Sequence, residues 1–197
     1  MKKRFFVFAF LFLFLVSCSG TASLSADRLK TVWRENRTLF DEAVKELEAL
    51  HRDRFTVRLE APEEEESEKQ SAPSTLSGEE KEEKLVWYVK KSDAHKDLDA
   101  PAAEKLLRDF PFDLIYYQTA SDSRRTVIFS CGEEKEKKVQ GILFSYDGAP
   151  CGWWGRKAKL EKNKERWVQI ETGADYYFTI ALEEGYYYFE KHGTLTA

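Results

Sequence analysis

Between Ser25 and Arg52, the residues Leu29, Val32, Trp33, Phe40, Ala43, Val44, Leu47 and Leu50 fall at three- and four-residue steps, the stripe that one face of an α-helix buries. Ser25 is placed to cap the start, Asp27 suits the positive first turn, and His51 and Arg52 suit the negative end. The spacing predicts one long N-terminal helix of about 26 residues, about 39 Å at 1.5 Å per residue, enough to cross a sheet. Asn36 interrupts the stripe, and a buried amide needs partners. From Arg54 the period drops to two. Phe55, Val57 and Leu59 alternate with Thr56, Arg58 and Glu60, as a half-buried strand requires.

The continuous apolar run Leu85 to Val89 predicts a strand covered on both faces, followed by a polar loop over Ser92 to Asp99. Asp99-Ala100-Pro101 carries an N-cap with proline near the helix start, so a short second helix is expected over Ala102 to Phe110, stopping before Pro111. Beyond it the alternation predicts strands at Leu114 to Thr119, Thr126 to Cys131, Val139 to Tyr146, Arg166 to Glu171, Tyr176 to Leu182 and Tyr186 to Lys191. Ser121 to Ser123, Gly132 to Lys138 and Glu183 to Gly185 have the polar and glycine content of hairpin loops. The expected fold class is α+β: a long helix packed on an antiparallel, meander-like sheet of about six to eight strands, with the second short helix.

Two stretches break this pattern. Residues 62–84 hold nine Glu against three Lys, with almost no apolar residue to offset the entropy of ordering, which predicts a disordered acidic insertion. At the N-terminus, the cationic Lys2, Lys3 and Arg4 precede the apolar run Phe5 to Cys18, which is shorter than the roughly 20 residues a spanning helix needs. A basic start, an apolar stretch and a small-residue exit are the parts of a secretory signal, expected over 1–17. The small, polar 18–25 then reads as a tether, leaving a single domain over 26–197.

Removing residues 1–17 takes away three of the 31 basic residues and none of the 35 acidic ones, leaving a net charge of −7. The insertion carries −6 of that, so the folded part is close to neutral, a balance that argues against nucleic acid as a partner. Five Trp, nine Tyr and fourteen Phe point to a strand-rich core or an aromatic binding face.

Leu15-Val16-Ser17-Cys18, directly after the apolar run, resembles the lipobox of bacterial lipoproteins. The resemblance implies cleavage before Cys18, acylation of its thiol and new N-terminus, and anchoring in the cell envelope, on the outer side of the cytoplasmic membrane or on the outer membrane. Ser19 in place of Asp allows the outer membrane. Gly141 to Asp147 with Pro150, and Gly185 to Glu190, resemble domains of uncharacterised bacterial lipoproteins, a likeness that implies the strand order and no activity.

Cys131 and Cys151 are the pair left after lipidation, and an oxidising compartment favours a disulfide between them. If the strands ending at Cys131 and Tyr146 form a hairpin, however, the two lie roughly 20 to 30 Å apart. Two buried thiols are the other reading. Histidines number three, and His51, His95 and His192 have no companion at ligand spacing, so neither metal nor cofactor is expected. Trp153, Trp154 and Arg156 lie in the glycine- and proline-marked stretch Gly148 to Arg156. Exposed, they would form a partner-binding hot spot; buried, they would plug the core. The function expected is a non-enzymatic, lipid-anchored protein that binds a protein or glycan partner in the envelope. The alternative is an envelope hydrolase using paired carboxylates or His192.

Overall fold

The computed structural model describes residues 25–60, 83–88, 94–96, 98–119, 123–133, 136–170 and 175–193. The expected signal, the tether up to residue 24 and the acidic insertion up to residue 82 lie outside these residues.

Where one long helix was expected there are two short ones, α1 (Ala26–Glu35) and α2 (Arg37–Glu48). The cause is Asn36, at φ −120° and ψ 25°. Its Nδ2 donates to the Val32 carbonyl at 2.9 Å, the same oxygen that its backbone N–H reaches at 3.1 Å. A short amide side chain that bonds its own backbone competes with the helical ladder, and the chain leaves helical geometry for one residue. Helix α2 restarts at once, with Leu39 N and Phe40 N donating to the Asn36 carbonyl. The apolar stripe survives the break: Leu29, Trp33, Phe40, Ala43, Val44 and Leu47 are all buried. Ser25 caps α1 as expected, its Oγ accepting from Arg28 N at 3.3 Å.

The strands are β1 (Arg54–Glu60), β2 (Lys84–Tyr88), β3 (Ala94–Lys96), β4 (Leu114–Gln118), β5 (Thr126–Cys131), β6 (Lys138–Ser145), β7 (Glu161–Asn163), β8 (Arg166–Ile170), β9 (Tyr176–Ala181) and β10 (Tyr186–His192), with helix α3 (Pro101–Asp109) before β4. Among the described residues they form one sheet in the order β3-β2-β1-β4-β5-β6-β10-β9-β8-β7, ten strands rather than six to eight. The two additional strands, β3 and β7, are the sheet edges. Each has three residues, β3 lies in the stretch expected as a polar loop, and every β7 residue is exposed. Short polar edges blunt further pairing, and they leave no hydrophobic period to read. Every neighbouring pair is antiparallel, as expected, but the path is a meander only in parts. Helix α3 carries the chain back from the β3 edge to set β4 beside β1. A second long connection takes it from β6 to the opposite edge, from which β7 to β10 return to lie beside β6.

The sheet has a core on each face. On one face the helices cover Phe55, Val57, Ile115, Val127, Phe129 and Ile142, with Phe40 set edge-on to the Phe129 ring at 4.8 Å. Helix α3 is tied to α2 by Glu46, whose carboxylate accepts from Ala102 N and Ala103 N at 3.0 to 3.1 Å, supplying the cap that Ala100 lacks. On the other face Leu114, Ile128, Leu143, Tyr177, Tyr187 and Phe189 are covered by the β6–β7 connection. This layering decides the cysteines, which are unpaired rather than bridged. Cys131, at the end of β5, packs with the helix-side core, whereas Cys151 sits in the connection on the opposite face. The sheet lies between them.

Candidate binding surface

Trp153, Trp154 and Gly155 form a short 3-10 turn inside the β6–β7 connection, and both indole rings are buried, Trp153 at 1% and Trp154 at 9% exposure. Trp153 packs on Phe189 and Tyr177 with centroids 5.9 and 5.8 Å away, and Trp154 stacks on Tyr116 at 5.0 Å. These two rings therefore close the core instead of offering a hot spot. Only Arg156 of the expected trio is exposed, and its backbone is bridged to Ser123. Gly152 is required here: a Cβ would lie 2.5 Å from Gln169 Oε1, the atom that accepts from Trp153 N. Burial pushes the Cys151 thiol up to about 12, which makes it inert while the face stays closed.

The aromatic surface lies elsewhere. On the helix side, α1 lies over β6 and β10 and α3 over β1 and β4. Strands β8 and β9 form a flank beyond this footprint, where Val168, Tyr176, Ile180 and Leu182 are half-buried and pack against the buried Phe178 and the rest of the helix-side core. Side chains two apart on a strand share a face, which is why Tyr176, Phe178 and Ile180 line up. Other side chains cover the rings: the Arg166 guanidinium lies 4.5 Å over Phe178, the Lys30 ammonium lies 5.4 Å over Tyr188, and the His192 ring stacks on Tyr176 at 4.5 Å. No single stretch of the sequence reveals this flank, because it needs β8 to β10 in register. The alternation in Tyr176 to Ile180 was its only signal.

Beside the flank, Glu190 is the hub of a polar network. Tyr188 OH donates to Glu190 Oε2 at 2.7 Å, His192 Nε2 meets Glu190 Oε1, and Lys138 Nζ lies 3.8 Å from the same oxygen. Partial burial alone would raise the Glu190 pKa, but the hydrogen bonds from Tyr188 and His192, with the charge of Lys138, outweigh it and lower the value. A carboxylate held ionised is the wrong form for a general acid. The carboxyl moved the other way is Asp113, raised by burial and then by the charges of Glu136 and Glu133. Its Oδ2 is already taken by Gly132 N at 2.5 Å, which makes it a lock on the turn after β5. His51 adopts a left-handed backbone with φ 51° just past α2, and the side chain of His95 lies outside the described residues. Among the described residues, no group of three or more His, Cys, Asp or Glu is placed to hold a metal ion.

Compared with known proteins, the chain matches no family model, no curated protein and no solved structure.

Proposed function

We propose that this chain is a lipid-anchored, non-enzymatic protein of the bacterial envelope that binds a partner through the β8–β9–β10 flank. The observation that carries the binding surface is the row Tyr176, Phe178 and Ile180 outside the helix footprint, with Arg166 and His192 laid over its rings. Tyr176 is the half-buried aromatic of the row, Phe178 beneath Arg166 is buried, and aromatic residues and Arg together are the composition of protein hot spots. A protein partner fits better than a glycan, because sugar rings stack on open aromatic faces and these faces are occupied by the guanidinium and the imidazole. The anchor rests on the Leu15 to Cys18 motif and on the apolar run before it. Two or more acyl chains at Cys18 would give stable membrane residence, where one chain is marginal.

The anchor is tested by metabolic labelling with an acyl analogue: the wild-type chain incorporates it, Cys18→Ala does not, and a Cys18→Ala chain still acylated and membrane-bound refutes the anchor. The flank is tested with a photo-crosslinker at Ile180 and, as control, at Lys45 on the exposed side of α2. A discrete protein adduct from Ile180 alone, lost with Arg166→Glu, supports the reading. Equal adducts from both positions refute it, and retention on purified envelope glycan that Arg166→Glu abolishes replaces the protein partner by a glycan.

A further inference from the structure

The connection from β6 to β7 must travel from the middle of the sheet to its edge, past β10, β9 and β8. It crosses as a strap on the face opposite the helices, pressing Cys151, Trp153 and Trp154 onto Ile128, Leu143, Tyr177 and Phe189. Two features of this strap and the face beneath it bear on its stability. Trp154 has φ 59° and ψ 31°, the left-handed region, where a bulky side chain is a strained outlier. Four polar atoms on this side of the sheet, Trp153 Nε1, Tyr177 Oη, Thr126 Oγ1 and Thr179 Oγ1, are also buried without a hydrogen-bond partner. Strain and unmet polar groups are released by the same movement, separation of the strap from the sheet.

We propose that Asp147 to Ala158 is a latch that opens as a unit while the sheet and helices stay folded. Its contacts with the sheet include Tyr187 OH donating to Gly148 O at 2.6 Å, Trp153 N to Gln169 Oε1 at 3.1 Å, Gln118 Nε2 to Trp154 O at 3.4 Å and Arg124 N to Gly155 O at 2.9 Å beside the isolated bridge of Ser123 to Arg156, while at its first residue Asp147 pairs with Arg124 and accepts from Ser145 Oγ at 2.8 Å. None of these belongs to a strand ladder. Aromatic packing favours the closed form, and the strained backbone and orphaned polar atoms favour the open one. Gly155 lets the closed form exist, since its φ is +79° and a Cβ there would lie 2.7 Å from Thr126 Oγ1. Opening brings the Cys151 thiol and both indoles to solvent, so any encounter of Trp153 and Trp154 with a partner is conditional on it.

Amide hydrogen exchange on the full chain, read by mass spectrometry across urea concentrations, tests the latch. In the wild type, amides of residues 152–156 should exchange at least roughly tenfold faster than those of Ile142 to Phe144 in β6, with little urea dependence, the signature of sub-global opening. Gly155→Ala should speed the strap at least roughly tenfold more and leave β6 unchanged. Tyr187→Phe, which deletes one closing bond, should speed it about fivefold, the equivalent of about 1 kcal/mol. Maleimide labelling of Cys151 should follow the strap rates. Strap and β6 exchanging at one rate with one urea slope would overturn the latch, as would Gly155→Ala accelerating both alike. Should Gly155→Ala fail to fold, the wild-type and Tyr187→Phe rates decide.

Discussion

Phe40 is where the fold is most open to attack. It sits in the first turns of α2, is 0% exposed, and its ring lies edge-on to Phe129 at 4.8 Å, Phe112 at 5.7 Å and Tyr186 at 6.3 Å. One side chain thus joins the helix layer to β5, to β10 and to the segment after α3. Truncating a buried phenylalanine costs about 3 to 5 kcal/mol, from lost transfer free energy and from the cavity left behind. Edge-to-face pairs add about 0.5 to 1.5 kcal/mol each beyond area, and Phe40 makes three, which places Phe40→Ala at the upper end, about 4 to 5 kcal/mol. Against a typical total of about 5 to 15 kcal/mol, that brings the chain near its unfolding threshold. In urea melts the midpoint should fall while the slope m stays constant. Lys45→Ala, on the exposed side of the same helix, should cost less than about 0.5 kcal/mol. Glu48 is a poor control, because it pairs with Arg125 at 2.6 Å. A loss below about 1.5 kcal/mol for Phe40→Ala, or equal losses at Phe40 and Lys45, would refute the claim that the helices support the sheet.

Glu46→Ala removes the carboxylate that caps α3 and should cost about 1 to 2 kcal/mol, with the first turn of α3 losing its hydrogen-exchange protection; unchanged protection at Ala102 and Ala103 would count against the cap. Glu190 makes stability pH-dependent: its folded pKa is lowered, so its contribution is complete above the ordinary glutamate value of 4.5 and is lost as pH falls through the lower folded value. Glu190→Gln should therefore flatten the acid side of the stability profile, below the ordinary glutamate value of 4.5, relative to wild type, and parallel profiles would refute the network.

Local chemistry was legible because it repeats. The strands at Arg54 to Glu60 and Thr126 to Cys131, the cap at Ser25 and the proline start of α3 follow from period, capping and backbone restriction, which act over a few residues. The break at Asn36 was visible only as an interruption, because whether an amide turns back on Val32 or finds a distant partner depends on what packs around it. The edge strands β3 and β7 bury too little to leave a pattern. Tertiary structure alone decided the rest. The two long returns of the chain determined which strands became neighbours, placing Cys131 and Cys151 on opposite faces and drawing Trp153 and Trp154 into the core. The flank of β8 and β9 exists because α1 stops over β10, and where a helix ends relative to a sheet is a matter of three-dimensional packing. A residue's type and its neighbours set what it can do chemically, but whether it meets solvent is set by the layer that crosses above it.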